Sequence, residues 1–160
     1  MPTEVETAYL RMVWRQLMPP PMIRAFQPWT YCVSHSELLL RSPGQAGTAT
    51  RVDVLFEAVK AMLLQYCYPS LALRFATPEE QARIESLGFE VLDPLPPYIL
   101  SDDPLSFVIA GPTVHWSEGY GEHDEPAGVF GGRVDGSIRS MQDAACSVPS
   151  FDEWTKAGGV

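Results

Sequence analysis

Tyr31-Cys32-Val33-Ser34-His35-Ser36-Glu37-Leu38-Leu39-Leu40-Arg41-Ser42 and Arg51-Val52-Asp53-Val54-Leu55-Phe56-Glu57-Ala58-Val59-Lys60 decide the fold. The first run alternates as a β-strand would: Tyr31, Val33, His35, Glu37, Leu39 and Arg41 on one face, Cys32, Ser34, Ser36, Leu38 and Leu40 on the other. In the second, Val52, Val54, Phe56 and Ala58 oppose Arg51, Asp53 and Glu57, the pattern of a half-buried antiparallel strand. Ser42-Pro43-Gly44-Gln45-Ala46-Gly47 between them is rich in turn formers. Paired as a hairpin, the two strands would align Glu37, Arg41, Arg51, Asp53 and Glu57 as a solvent-facing ladder, each exposed pair contributing about 0.2–1 kcal/mol. A recognition face with His35 at one end is the alternative.

Working outward, Leu71, Leu73 and Phe75 predict a third strand, and Ala61 to Tyr66 is ambiguous. Thr77-Pro78-Glu79-Glu80 combines an N-cap, a proline at the first helical position and a capping box, and Gly88 supplies the stop, so residues 78–87 read as a helix. Phe89 to Leu92 resumes as strand until Pro94-Leu95-Pro96-Pro97 breaks it. Leu105 to Ala110 reads as a buried strand, and Thr113 to Ser117 as another with Val114 and Trp116 on its apolar face. Towards the N-terminus, Thr3 and Glu6 form a capping box. Val5, Tyr9, Met12, Val13 and Leu17 recur at helical spacing over residues 3–18, and Pro19-Pro20-Pro21 ends the helix. After Glu118 the chain turns polar and glycine-rich. Short helices are expected near Ser137 to Ala145 and after Ser150, the latter presenting Phe151 and Trp154 on one side. The fold class is therefore α+β: a mostly antiparallel sheet with one packed helix, an N-terminal helix and a loosely structured C-terminal extension. The implied divisions are 1–28 (helix and Pro-rich connector), 29–126 (core domain) and 127–160 (Gly-rich extension).

The chain has 160 residues, 46% of them hydrophobic, with 20 acids, 11 bases and a formal charge of -9. No Lys or Arg lies between Arg83 and Arg133, whereas Glu85, Glu90, Asp93, Asp102, Asp103, Glu118, Glu122, Asp124 and Glu125 do; these nine acids equal the whole net charge. That sign opposes direct nucleic-acid binding. The acidic stretch reads either as a solvated rim or as a surface steering a basic protein partner. No apolar run approaches the roughly 20 residues of a membrane-spanning helix. Three cysteines without a C-x-x-C, and no signal-peptide pattern, fit a soluble protein of a reducing, cytoplasmic compartment.

Chemistry-bearing motifs are few. P-loop, dinucleotide and nucleophile-elbow patterns are absent, and no cofactor is implied. Cys32 and His35, three apart on one strand, would point to opposite faces and form no dyad. They read as a buried structural thiol and a hydrogen-bonded imidazole. His115, Glu118, Glu122, His123 and Asp124 are acceptable metal-ligand types without a closed motif; His115 and His123 would be the first ligands.

The segments Tyr31 to Ser42, Thr50 to Phe56 and Glu122-His123-Asp124-Glu125 resemble small uncharacterised bacterial proteins. In outline the chain is also similar to immunity proteins of bacterial toxin systems, many of them small, acidic and built on a curved sheet. The resemblance carries over no catalytic residue. Charge confined to one segment, together with the lack of catalytic motifs, points to a non-enzymatic, acidic protein-binding module, an immunity-type inhibitor or adaptor engaging a basic partner. Trp116, Glu118, Tyr120, Glu122, Asp124, Glu125, Phe130 and Trp154 are the expected contact residues, the aromatics as exposed anchors. Two alternatives stand beside it: a small metal-assisted enzyme using His115 and His123, with His35 as proton shuttle, and a structural or virion assembly protein whose terminal extensions pack on identical copies in a homo-oligomer.

Overall fold

The computed structural model describes residues 1–44, 50–92, 95–120, 137–140, 145 and 147–159. The class is α+β. Helix α1 (Glu4–Leu17) leads into β1 (Gln27–Cys32), β2 (Glu37–Ser42), β3 (Thr50–Phe56), β4 (Ala61–Leu63) and β5 (Arg74–Phe75). Helix α2 (Pro78–Ser86), β6 (Tyr98–Asp102), β7 (Leu105–Ile109), β8 (Val114–Tyr120), β9 (Ser137–Ser140) and helix α3 (Phe151–Lys156) follow. The strands form two antiparallel sheets, a five-stranded one ordered β1-β2-β3-β8-β9 and a four-stranded one ordered β4-β7-β6-β5.

One core cluster draws on both sheets. Leu38, Leu40, Val52, Val54, Phe56, Val114 and Trp116 come from the first, and Phe75, Tyr98, Leu100 and Val108 from the second. Strand β7 alternates between two hydrophobic environments: Val108 belongs to this cluster, while Leu105, Phe107 and Ile109 join Ile84 of α2 in another. The α2 caps are local and self-sufficient. Thr77 Oγ1 accepts the Glu80 amide at 3.2 Å, and the Glu80 carboxylate accepts the Thr77 amide at 3.0 Å. At the other end Gly88 takes φ +96°, which glycine adopts without a Cβ clash. Its N–H reaches Glu85 O, and Phe89 N–H reaches Ile84 O, the double closure of a Schellman motif with Phe89 folded onto the Ile84 cluster. Thr77→Ala is expected to cost about 1 kcal/mol, read as a lower urea midpoint at unchanged slope.

The terminal segments dock onto this core. Met18, Met22 and Phe26 enter the main cluster, held by paired backbone hydrogen bonds between Met22 and Leu71 and between Phe26 and Tyr68. Helix α3 begins with the expected capping box at Ser150. It presents Phe151 and Trp154 to Tyr9 of α1, with ring centroids 5.2 and 5.5 Å apart, while Tyr9 Oη donates to Pro149 O at 2.8 Å. Gly159 lies so close to the Trp154 indole that an added Cβ would come within 2.2 Å of it. Among the described residues, no helix is long and apolar enough to cross a membrane.

Several expectations are corrected. Residues 31–41 are not one strand: Val33 to Ser36 form the turn of a hairpin, with Ser36 at φ +53°, so Cys32 faces Glu37 and Tyr31 faces Leu38. Strand β3 stops at Phe56 because Ala58 takes φ +51°. Of the expected strand around 71–75 only Arg74–Phe75 is regular, and 89–92 is not a strand. Strand β6, just beyond the proline cluster, carried too short an alternation to be read. Ser137–Ser140 is a strand on β8 rather than a helix. The charged ladder is not solvent-facing either: Arg41 and Asp53 are only 1% and 2% exposed, and Arg51 is buried with them.

Candidate functional site

Three places gather charged or reactive side chains. The first is the acidic end of β8. Glu118 accepts from Thr50 Oγ1 at 2.8 Å and from Arg24 Nη1 at 3.4 Å. Arg24 also donates through Nε to Ser42 Oγ at 2.7 Å, so it clasps the ends of β2, β3 and β8. Glu118 is thus a neutralised, half-buried carboxylate, not a free contact. Trp116 is 5% exposed in the main core, and its indole N–H donates to Leu17 O at 3.0 Å, tying α1 to β8; it is no exposed anchor. The residue that does stand out is Tyr120, 72% exposed at the end of the strand. Trp154 is half-buried against Tyr9. Glu122, His123, Asp124, Glu125 and Phe130 lie outside the described residues. His115 sits on the opposite face of β8, its Nε2 3.1 Å from Glu57 Oε2. Among the described residues no group of three His, Cys, Asp or Glu is placed to hold a metal ion.

The second place is the corner between α2 and β6, which sequence reading missed. Arg74 binds Glu80 through two bonds of 2.7 and 2.9 Å and also donates to Asp102. The bidentate guanidinium, with help from Thr77, draws the Glu80 pKa from 4.5 down to about 2. Glu79 and Asp103, the chain neighbours of those two acids, are exposed. Two carboxylates, Glu80 and Asp102, therefore share one guanidinium, with Arg83 exposed further along α2. A cleft of about 280 Å³ opens beside them, lined by Gln65, Ser70, Arg74, Ser101 and Asp102. Its floor is held rigid by a satisfied chain: Tyr68 Oη accepts the Gln65 amide and donates to Ser106 Oγ, which donates to Leu63 O. The nine-acid stretch is thereby divided: Asp102 ends a strand of one sheet, Glu118 lies in the other, and each is paired with an arginine from an earlier part of the chain.

The Glu80 pairing has a measurable pH signature. Because its folded pKa lies below the unfolded value, the unfolded chain binds the proton first, and stability drains away as pH falls from about 4.5 towards 2. Arg74→Met should flatten that part of the stability-against-pH curve, read by urea unfolding at successive pH values. An unchanged slope would refute the coupling.

The third place is the tip of the β1–β2 hairpin. The turn swings His35 back over the strand end, so Nδ1 comes to 3.2 Å from Cys32 Sγ and 2.9 Å from Ser34 Oγ, and Ser34 Oγ lies 3.3 Å from the same sulfur. The strand geometry that excluded a dyad does not exist there. Cys32 is also half-exposed rather than buried. The signal available was local: serines and a histidine between two β-rich runs form a plausible four-residue loop. The unbroken alternation concealed it.

No family model matches the chain, and neither a curated protein nor a solved structure matches it.

Proposed function

We propose that the protein is a non-enzymatic binding module, an immunity-type inhibitor or adaptor acting in the cytoplasm, that engages a basic surface of a protein partner. The observation that carries this reading is the α2–β6 corner: Glu80 and Asp102 held on Arg74, with Glu79 and Asp103 exposed next to them in the chain, beside a cleft of about 280 Å³. Acids outnumber bases at this corner, and a net negative charge beside a groove raises encounter rates with an opposite charge and favours one orientation. Tyr120, leading into Glu122, Asp124 and Glu125, is a second contact candidate, and its exposed ring supplies apolar area at low entropic cost.

The test starts with a pull-down from the native host at low and high salt, followed by association kinetics with the recovered partner. The expected rate falls about tenfold or more as salt screens the field. Glu79→Gln with Asp103→Asn, and separately Glu122→Gln with Asp124→Asn and Glu125→Gln, report which acidic surface steers. If neither set alters the rate or its salt dependence, electrostatic docking is wrong.

A further inference from the structure

The hairpin tip joins a sulfur nucleophile to a proton acceptor within the 2.6–3.2 Å reach expected of such pairs. Ser34 Oγ bonds to both members, fixing the sulfur on one side and the imidazole on the other. The arrangement stands on an exposed turn: Val33 is 80% exposed, and His35 and Ser34 face solvent, so a bulky reagent meets no wall.

We propose that Cys32, with His35 and Ser34, is a thiol–disulfide exchange site that accepts low-molecular-weight disulfides and holds them as a mixed disulfide. In the exchange the Cys32 proton passes to His35 Nδ1, and the thiolate attacks one sulfur of the disulfide R–S–S–R. The Cys32–S bond to that sulfur forms as the old S–S bond breaks. The electron pair leaves on the second sulfur, which takes the proton from His35 and departs as R–SH. The incoming disulfide is the oxidant, Cys32 is oxidised to the mixed disulfide, and one half of the reagent is reduced to thiol.

The electrostatics agree with the geometry. Hydrogen bonds from Ser34 first, then from His35, lower the Cys32 thiol from 9.0 to about 7. The bond to Cys32, its charge, and then the charge of Glu37 raise the imidazole. A thiol titrating near ambient pH is the best attacker in exchange, because it balances thiolate fraction against nucleophilicity. At pH 7 such a thiol holds about 50 times more thiolate than one titrating at 9.0. Its lower basicity removes about 6–10-fold of that advantage, leaving roughly a five- to eight-fold faster reaction. Glu37, directly across the strand pair, adds negative charge at the tip. A cationic disulfide is therefore favoured over an anionic one.

The experiment uses the full chain with cystamine, bis(2-hydroxyethyl) disulfide and oxidised glutathione at pH 7, with mixed disulfides located by peptide mass spectrometry. Cys67, exposed and without a side-chain hydrogen bond among the described residues, is the internal reference. Cys32 is expected to react at least five-fold faster than Cys67, in the order cystamine, hydroxyethyl disulfide, glutathione disulfide. Iodoacetamide alkylation of Cys32 should show a midpoint near pH 7 that moves upward in His35→Gln and in Ser34→Ala, while Cys67 is unaffected. Equal rates at Cys32 and Cys67, or a Cys32 midpoint indifferent to both substitutions, would overturn the proposal. It stands independently of the acidic docking reading, since none of these residues belongs to that surface.

Discussion

Asp53→Ala will destabilise the protein by about 3–5 kcal/mol, several times the effect of deleting an exposed ion pair. Asp53 accepts from Arg41 Nε at 2.8 Å, directly across the β2–β3 ladder, and lies 3.3 Å from Arg51 Nη2. The Trp29 ring covers the Arg41 guanidinium with its centroid 4.8 Å away, and Leu39 and Leu55 complete the dry surroundings. Removing the carboxylate takes away the counter-charge that buried Arg41 and Arg51 share, in a medium that screens poorly. Replacing all three members together, as Arg41→Met, Arg51→Met and Asp53→Leu, should restore most of the loss, because the desolvation cost of every charge disappears with the pair. Urea denaturation of the two variants decides the matter. A loss below about 1 kcal/mol for Asp53→Ala would mean that the ladder is hydrated after all.

Trp116→Ala is expected to be comparably severe, about 3–5 kcal/mol, by opening a cavity at the centre of the main cluster. The same substitution cuts the indole bond to Leu17 O, so α1 loses its fastening to β8. Trp116→Phe separates the two effects. It keeps most of the ring volume, gives up the indole hydrogen bond to Leu17 O at about 0.5–1.5 kcal/mol, and should raise hydrogen exchange in α1 more than in β3. If Trp116 were an exposed anchor, both substitutions would leave stability untouched and reduce partner binding only. Near-neutral unfolding midpoints would restore that role.

These two residues mark how far the sequence could be read. Alternation places Trp116 on the apolar face of its strand, next to Val114, as observed, whereas its expected role as an exposed anchor is overruled by its burial. Alternation places Asp53 and Arg41 on one face and on neighbouring strands, and they pair across those strands. Their burial was not legible. Alternation says which side chains share a face, and a polar face is normally the wet one. Here that face is dry too, and only the finished tertiary arrangement could reveal it. The hairpin at Val33 to Ser36 is hidden for a different reason: its serines are turn formers, but the turn holds no Gly or Pro, and the alternation of the two strands runs on through it without a gap.

The candidate surfaces divide in the same way. An acidic cluster confined to one stretch of sequence was visible by counting, but charge along the chain is not charge in space. Arg24 reaches Glu118 across 94 positions and Arg74 reaches Asp102 across 28, pairings invisible to any local pattern. Arg74 holds Glu80 and Asp102 together at a corner made from a helix start and a strand end.

What the chain determined by itself is what closes within three or four residues. Thr3, Thr77 and Ser150 each begin a helix through a capping box, since donor and acceptor are neighbours whatever the rest does. The partition of Val52, Val54 and Phe56 from Arg51 and Asp53 is equally local, a consequence of side-chain alternation. The tertiary structure alone decided the second sheet, the dryness of the charged ladder and the arginine clasps. Each depends on where a remote or reversing piece of backbone comes to rest, and that is settled by burial of the whole set of apolar side chains rather than by any one segment's preference.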